Sequence, residues 1–299
     1  CNQCSLIQSS SVFNLKKYYS DNYNLSLESK NHDFFYKKVG NKMIFKSDVQ
    51  LSIIKKFLKH NKKINILDYG CAKSDVMKKC SKKYKYITPY LFDISNKYKK
   101  YWNFALKENQ SINIIPKYWK ERFDIITSFF VLEHDINPLK TLTKIRDLLK
   151  ENGRLILVVP NSAKNIGDHL LVDHLNHFNK SSLVNILNFS GFKNIRVFEN
   201  LYKSSLVVSC KKGQTSKIIL KDSKQTKMIN FLKKYTQKIL KFKKKELNFD
   251  TYAIYGAGIY GTYIHLKFDY KINYFIDQNP YLKNKNHFSA KVLSPYSLP

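Results

Sequence analysis

Between residues 64 and 161 the chain alternates short apolar runs with longer stretches of helical spacing. The runs are Ile64-Asn-Ile-Leu67, Tyr90-Leu-Phe92, Phe123-Asp-Ile-Ile-Thr-Ser-Phe-Phe-Val131 and Leu155-Ile-Leu-Val-Val159. Each ends in polar or small residues: Asp68-Tyr-Gly70, Asp93, Leu132-Glu133-His134 and Pro160-Asn161. Continuous apolar runs of this length read as strands buried on both faces. Between the third and fourth, Asn137-Pro138 opens an amphipathic helix, Leu139 to Lys150, with apolar Leu139, Leu142, Ile145, Leu148 and Leu149, closed by Asn152-Gly153. Such alternation predicts an α/β fold built on a doubly wound, mostly parallel sheet, with ligands held at the carboxyl ends of its strands.

The first strand end has a particular chemistry. Asp68-Tyr-Gly70-Cys71-Ala72-Lys-Ser74 is a turn of small residues leading into a helix, where backbone can approach a ligand closely. Asp93 follows at the distance where a ribose-binding carboxylate belongs. A second strand-turn-helix, Tyr252-Ala-Ile-Tyr-Gly256-Ala-Gly258-Ile-Tyr-Gly261 with Tyr274-Phe-Ile-Asp277 as its next strand, has the form of a dinucleotide fingerprint. With only two predicted strands, that partial Rossmann-like unit is expected to be incomplete. No internal repeat is evident.

Taken together, Asp68-Tyr-Gly70-Cys71, Asp93, Phe123-Asp124…Val131-Leu-Glu133-His134 and Gly153-Arg-Leu…Val159-Pro160-Asn161 resemble class I S-adenosylmethionine-dependent methyltransferases, over about residues 48–212. The resemblance implies that Gly70 and its neighbours line the methionine part of S-adenosyl-L-methionine and that Asp93 holds the ribose hydroxyls. It further implies that Asp68 orients the turn and that Ser128 to Glu133 pass beside the sulfonium. Where the family turn reads Asp-x-Gly-x-Gly-x-Gly, this chain has Ala72 and Ser74 at the second and third glycines.

Acceptor chemistry is expected in His169-Leu-Leu171-Val-Asp173-His174-Leu-Asn-His177-Phe178, with Asp168 just before it. A neutral imidazole takes a proton near pH 7, and a carboxylate beside it stabilises the resulting cation. The segment resembles the substrate loop of sugar-nucleotide C-methyltransferases, whose Tyr-x-Glu-His run places the base on His174 and its supporting carboxylate on Asp173. Leu171 stands where that run has tyrosine, which weakens C-methylation specifically; an oxygen acceptor needs less carbanion stabilisation, and the Asp-His-Leu-x-His-Phe run also suits O-methyltransferases of this superfamily. His177 and Phe178 are expected to cap and pack the next helix, Ser181 to Phe189, and His134 to finish its strand.

The same resemblance organises the flanks. Residues 1–47 read as the remnant of a zinc knuckle plus a Tyr-rich region around Tyr18-Tyr19-Ser-Asp-Asn-Tyr23. Residues 48–212 are the methyltransferase domain, 213–250 a basic connecting helix, and 251–299 the partial Rossmann-like unit that in the resembled family helps hold the sugar nucleotide. Cys1 and Cys4 are half of a zinc site, so zinc is expected only if a further Cys-x-x-Cys lies upstream, and no metal is assigned to the chain as given. The Met228, Phe231, Leu232, Tyr235, Ile239 and Phe242 stripe places the connecting helix on one face.

Composition narrows the partners. The 299 residues carry a formal net charge of +31, which invites a nucleic-acid reading. Yet only Arg122, Arg146, Arg154 and Arg196 are arginine, and arginine makes the bidentate phosphate and guanine contacts. Lysine spread along the whole chain favours a small anionic substrate such as a sugar nucleotide over specific nucleic acid. No apolar run is long enough to span a membrane and no signal peptide is visible, so a cytoplasmic enzyme is expected; the oligomeric state is not legible. Methyl transfer to a sugar nucleotide or surface-glycan precursor is the leading expectation. An O-methyltransferase on another small molecule follows, and a catalytically silent binding module, marked by Ala72 and Ser74, is the alternative of another class.

Overall fold

The computed structural model describes residues 4–9, 33–58, 62–215, 229, 230, 233, 234, 237, 252–268 and 272–298. The Tyr-rich segment around Tyr18, Cys1 and the apolar stripe of the connecting helix lie outside the described residues. The chain divides into two compact units, one of residues 1–30 and 47–222, the other of residues 31–46 and 223–299.

The first unit is built on seven strands. In chain order these are β4 (Ile64–Tyr69), β5 (Ile87–Asp93), β6 (Gln110–Ile112), β7 (Phe123–Phe129), β8 (Leu149–Pro160), β10 (Phe192–Phe198) and β11 (Ser205–Lys212); β1 (Ile7–Gln8) and β9 (Asn176–His177) form a separate short ladder. The sheet order is β10-β11-β8-β7-β4-β5-β6. Strands β6, β5, β4, β7 and β8 are parallel neighbours, while β11 runs antiparallel to both β8 and β10. Parallel neighbours need crossovers, supplied here by α2 (Asp75–Lys83) between β4 and β5 and α3 (Pro138–Leu148) between β7 and β8. The α/β, mostly parallel architecture is therefore the one expected. Its antiparallel edge was not legible, because β10 and β11 carry the same apolar spacing a parallel pair would.

The helix predicted to run to Lys150 stops at Leu148. Leu149 instead pairs with Phe123 as the first residue of β8, and Asn152 takes a left-handed φ of 63° within that strand, where its register against β7 shifts between Leu149 and Arg154. The apolar side chain of Leu149 suits a helix face or a buried strand equally; here it is fully buried at the start of β8. Helix α4 spans Lys180–Phe189, and Asn179 caps it with Ser182 in a reciprocal capping box. The cap is thus Asn179, not His177, whereas Phe178 packs in the core as expected.

Chain reversal occurs at β4. From it the chain builds outward through β5 and β6, then crosses to β7 and β8 on the other side. The crevice between β4 and β7 at their carboxyl ends is the topological switch point, where such sheets bind ligands. Register brings the polar residues there into reach: Asp68 pairs with Thr127 across β4 and β7, and Tyr69 with Phe92 across β4 and β5, leaving Asp93 one step beyond, level with Gly70.

The second unit has a four-stranded sheet of order β12 (Ala253–Tyr255), β13 (Tyr274–Ile276), β15 (Ala290–Leu293) and β14 (Asn286–His287), together with helix α5 (Ile259–Phe268) and a hairpin of β2 (Phe35–Val39) and β3 (Lys42–Phe45). Four strands stand where two were predicted; β14 and β15 are short and flanked by polar residues, so their periodicity is faint. Gly256 has φ +99°, and a Cβ on Gly261 would lie 1.9 Å from the Gly256 carbonyl oxygen, so the turn admits only glycine there. Ala257 N–H donates to Asp277 at 2.9 Å. No helix among the described residues is long and apolar enough to cross a membrane.

Ile126 lies at the centre of the first sheet with no exposure. Ile126→Ala is expected to cost about 2–5 kcal/mol through lost burial and a residual cavity. Both tryptophans, Trp102 and Trp119, belong to this unit, so urea unfolding followed by tryptophan fluorescence reads the loss directly.

Candidate functional site

Asp68 ends β4 with its carboxylate 3% exposed, accepting hydrogen bonds from Thr127 Oγ1 at 2.9 Å and Ser74 Oγ at 2.5 Å. Burial outweighs those bonds and pushes its pKa up to about 6. Ser74, just ahead of α2, spends its hydroxyl on Asp68 rather than on the helix N-terminus. The serine in place of glycine is thereby folded back into the protein and away from the ligand side of the turn. Both substituted positions keep the glycine-like backbone: φ is 45° at Ala72 and 54° at Ser74, each at a steric cost a glycine avoids.

Gly70 is held by its N–H to Phe92 O at 2.8 Å, with φ +71°; a Cβ there would lie 2.4 Å from Val131 Cγ2. Glycine is required so that the residues after β7 can close on the turn. Asp93 reaches back across the crevice. Its carboxylate accepts from Ala72 N at 2.8 Å and Ser95 N at 2.8 Å, and Trp102 Nε1 holds the Ala72 carbonyl at 2.7 Å. Burial raises the Asp93 pKa above the ordinary value, against these backbone donors. Asp68, Gly70 and Asp93 therefore share one crevice, completed by Ser74 and by Thr127 and Trp102, which no sequence pattern singled out.

The second half of the site is a histidine cluster beside β7. Leu132–His134 form a 3-10 turn, and the segment 174–177 is tied to it: Leu175 N donates to Glu133 O at 2.7 Å, and Asn176 Nδ2 donates to Leu132 O at 2.9 Å. Asp168, fully buried, receives His174 Nδ1 at 2.7 Å on one oxygen and His177 Nδ1 at 2.9 Å on the other. Burial alone would raise its pKa, but the two imidazoles hold it down at about 2. An ionised carboxylate only accepts, so both Nδ1 atoms carry the proton. His177 Nε2 then accepts from Ser9 Oγ at 2.8 Å. His174 Nε2 makes no hydrogen bond among the described residues.

The carboxylate on His174 is thus Asp168, whereas Asp173 was expected there. Asp173 instead meets His134 Nδ1, through its backbone oxygen at 3.0 Å and its carboxylate at 3.3 Å. Residues 173 and 174 are adjacent and project to different neighbours, while the 3-10 turn Ile166–Leu170 carries Asp168 under the ring. Burial disfavours a charged His134, yet Asp173 and Glu133 overcome it and raise its pKa. His134 and His174 stack edge to face with ring centroids 4.7 Å apart. Glu133 is buried, and neither of its oxygens has a hydrogen-bond partner among the described residues; burial raises its pKa, opposed by the charges of His134 and His174.

The amino-terminal segment closes the cluster from the far side of the sequence. Strand β1 pairs Ile7 with His177, and Gln8 Nε2 donates to Asn176 at 2.8 Å. Cys4 is a buried free thiol whose carbonyl accepts from Asn185 Nδ2. Ser9 and His177 are 168 positions apart, a contact no local pattern can announce.

Residues 46–197 match the family model described as a methyltransferase domain, half of the 299 residues. The chain belongs to this methyltransferase family, and its first unit has the class I fold of S-adenosylmethionine-dependent methyltransferases. An uncharacterized protein of Methanocaldococcus jannaschii, MJ0638, is 34% identical over 146 residues, which is 48% of this chain; the chain covers 61% of that relative's length. A putative methyltransferase from Bacillus halodurans shares 15% identity at a TM-score of 0.44, over 55% of this chain and 99% of that one. Phosphoethanolamine N-methyltransferase 2 of Haemonchus contortus, solved with S-adenosyl-L-methionine, shares 12% identity at a TM-score of 0.46, over 55% and 52%.

The crevice fits that cofactor. Asp93 uses one N–H on each oxygen, and lone pairs remain for a vicinal diol. The next residue, Ile94, is 56% exposed, an apolar surface beside the carboxylate where a purine ring would otherwise face water.

Two measurements test the crevice. Asp68 favours its neutral form in the fold, so its stabilising contribution is complete below about pH 4 and lost as pH rises through about 6. Asp68→Asn is therefore expected to gain about 3 kcal/mol relative to wild type between pH 4 and pH 7, read by urea unfolding at each pH. Ala72→Gly relieves the left-handed backbone and is expected to stabilise by about 1 kcal/mol, raising Tm by about 2–4 °C.

Proposed function

We propose that the chain transfers a methyl group from S-adenosyl-L-methionine to a small anionic acceptor, with a sugar nucleotide or glycan precursor as the class to test first. The observation that carries this reading is Asp93 at the switch point, pinned to the glycine turn through Ala72 and still able to accept from two hydroxyls. When bound, S-adenosyl-L-methionine supplies an electrophilic methyl group on a sulfonium sulfur.

The protein's own part is alignment and proton handling. Asp93 orients the ribose, and the Gly70 turn lets backbone close on the methionine portion. On the acceptor side His174 has its Nδ1 proton committed to Asp168, so Nε2 carries the lone pair that takes the acceptor's proton, and Asp168 stabilises the imidazolium that forms. Asp173 acts one step away, by holding His134 against His174. The large lysine excess supports an anionic acceptor, and the resemblance of residues 168–178 to the sugar-nucleotide loop supports that class. A second role for His174 Nε2, as a ligand to a cation, is favoured by its neighbours Glu133 and His134.

Calorimetric titration of S-adenosylhomocysteine into the full chain is expected to show binding on the order of micromolar, weakened about tenfold to a hundredfold in Asp93→Ala. Labelled methyl transfer onto a panel of nucleoside diphosphate sugars is expected to fall at least about 100-fold in His174→Ala while that binding persists. Absence of binding in folded wild type overturns the reading; full turnover in His174→Ala removes the base.

A further inference from the structure

Glu133, His134 and His174 each offer one ligand atom, and those atoms lie within 4.8 Å of one another. Proximity of three such groups is common and by itself says little. An independent observation points to an occupant: Glu133 is 1% exposed, and neither carboxylate oxygen has a hydrogen-bond partner among the described residues. A carboxylate taken out of water is costly unless a donor or a cation meets it. Every other buried carboxylate in this region is met: Asp168 by two imidazoles, Asp173 by His134.

The two imidazoles are arranged as metal ligands are. A metal-binding histidine hands its second ring nitrogen to a carboxylate or carbonyl, which sets the tautomer and aims the ring. Here His174 Nδ1 is on Asp168 at 2.7 Å, and His134 Nδ1 is on Asp173. The edge-to-face packing of the two rings holds their relative orientation, and the bonds from Leu175 and Asn176 fix the 174–176 segment to the turn that carries Glu133 and His134. The neighbouring group of Asp168, His169 and His177 has no such capacity, since both Asp168 oxygens and both His177 nitrogens are already engaged.

We propose that Glu133, His134 and His174 form a binding site for one divalent first-row transition ion. Two imidazoles and one carboxylate suit manganese, iron, cobalt or zinc, whereas calcium and magnesium prefer oxygen ligands throughout. An ion there meets the buried Glu133 carboxylate and leaves open positions for an acceptor oxygen. The inference rests on the methyl-transfer reading only for that last ligand. With an ion bound, His174 Nε2 would serve as a ligand, so its role as base belongs to the protein without the ion.

The test uses the full chain freed of metal with a chelator. Titration with Mn2+ by calorimetry is expected to give one ion per chain, and Co2+ is expected to give ligand-field bands in the visible spectrum. Glu133→Gln keeps the side-chain volume and removes the charge; it and His174→Gln are each expected to weaken Mn2+ binding at least about tenfold and to alter the cobalt bands. Circular dichroism checks folding, and His134→Gln replaces either variant that does not fold. No Mn2+ binding by wild type, or binding unchanged in the folded variants, overturns the proposal. S-adenosylhomocysteine binding is read on the same samples: intact cofactor binding without an ion overturns the cation site alone, and an ion without cofactor binding overturns the methyl-transfer reading alone.

Discussion

A carboxylate at the end of a buried strand has no water to satisfy it, so the chain around it must supply donors. That requirement organises this protein. Asp93 draws the Ala72 and Ser95 N–H groups to itself and so sets the turn after β4; Asp68 captures the hydroxyls of Thr127 and Ser74 and joins that turn to β7. Without these bonds the crevice at the switch point would have no fixed shape, and the backbone at Ala72 and Ser74 would have no reason to stay left-handed. The second unit uses the same device, with Asp277 accepting from Ala257 and Asn279, so one solution to the problem occurs twice in sequences with no evident repeat.

Asp168 extends the logic to the histidine cluster. One buried carboxylate serves two imidazoles, fixing both tautomers, and it remains ionised because the charge-assisted bonds overcome its desolvation. The result is an imidazole at 174 with its tautomer fixed, beside a carboxylate, Glu133, that has no hydrogen-bond partner among the described residues. Satisfied carboxylates shape the site, and the proposed cation site is built on the one that is not.

Much of this was legible along the chain, for local reasons. Strands buried on both faces write themselves as apolar runs, and a strand that meets a ligand must end in polar or small residues, so Asp68, Gly70 and Asp93 stand out by position and spacing. The Asn137-Pro138 start of α3 is likewise local chemistry, a side-chain cap followed by proline. The clustering of Asp168, Asp173 and three histidines between β8 and α4 is also visible along the chain.

What the sequence by itself determined is the alternation that makes a mostly parallel sheet and the strand ends where chemistry gathers, because both follow from burial and from contacts within a few residues. Only the tertiary structure decided which carboxylate meets which histidine. Asp173 neighbours His174 along the chain, yet a 3-10 turn brings Asp168 under that ring and leaves Asp173 to His134. Tertiary structure also decided that Ser9 reaches His177, that Ser74 folds onto Asp68, and that the Glu133 carboxylate has no hydrogen-bond partner among the described residues. Such pairings depend on strand register and on contacts between distant segments, and periodicity carries no record of either.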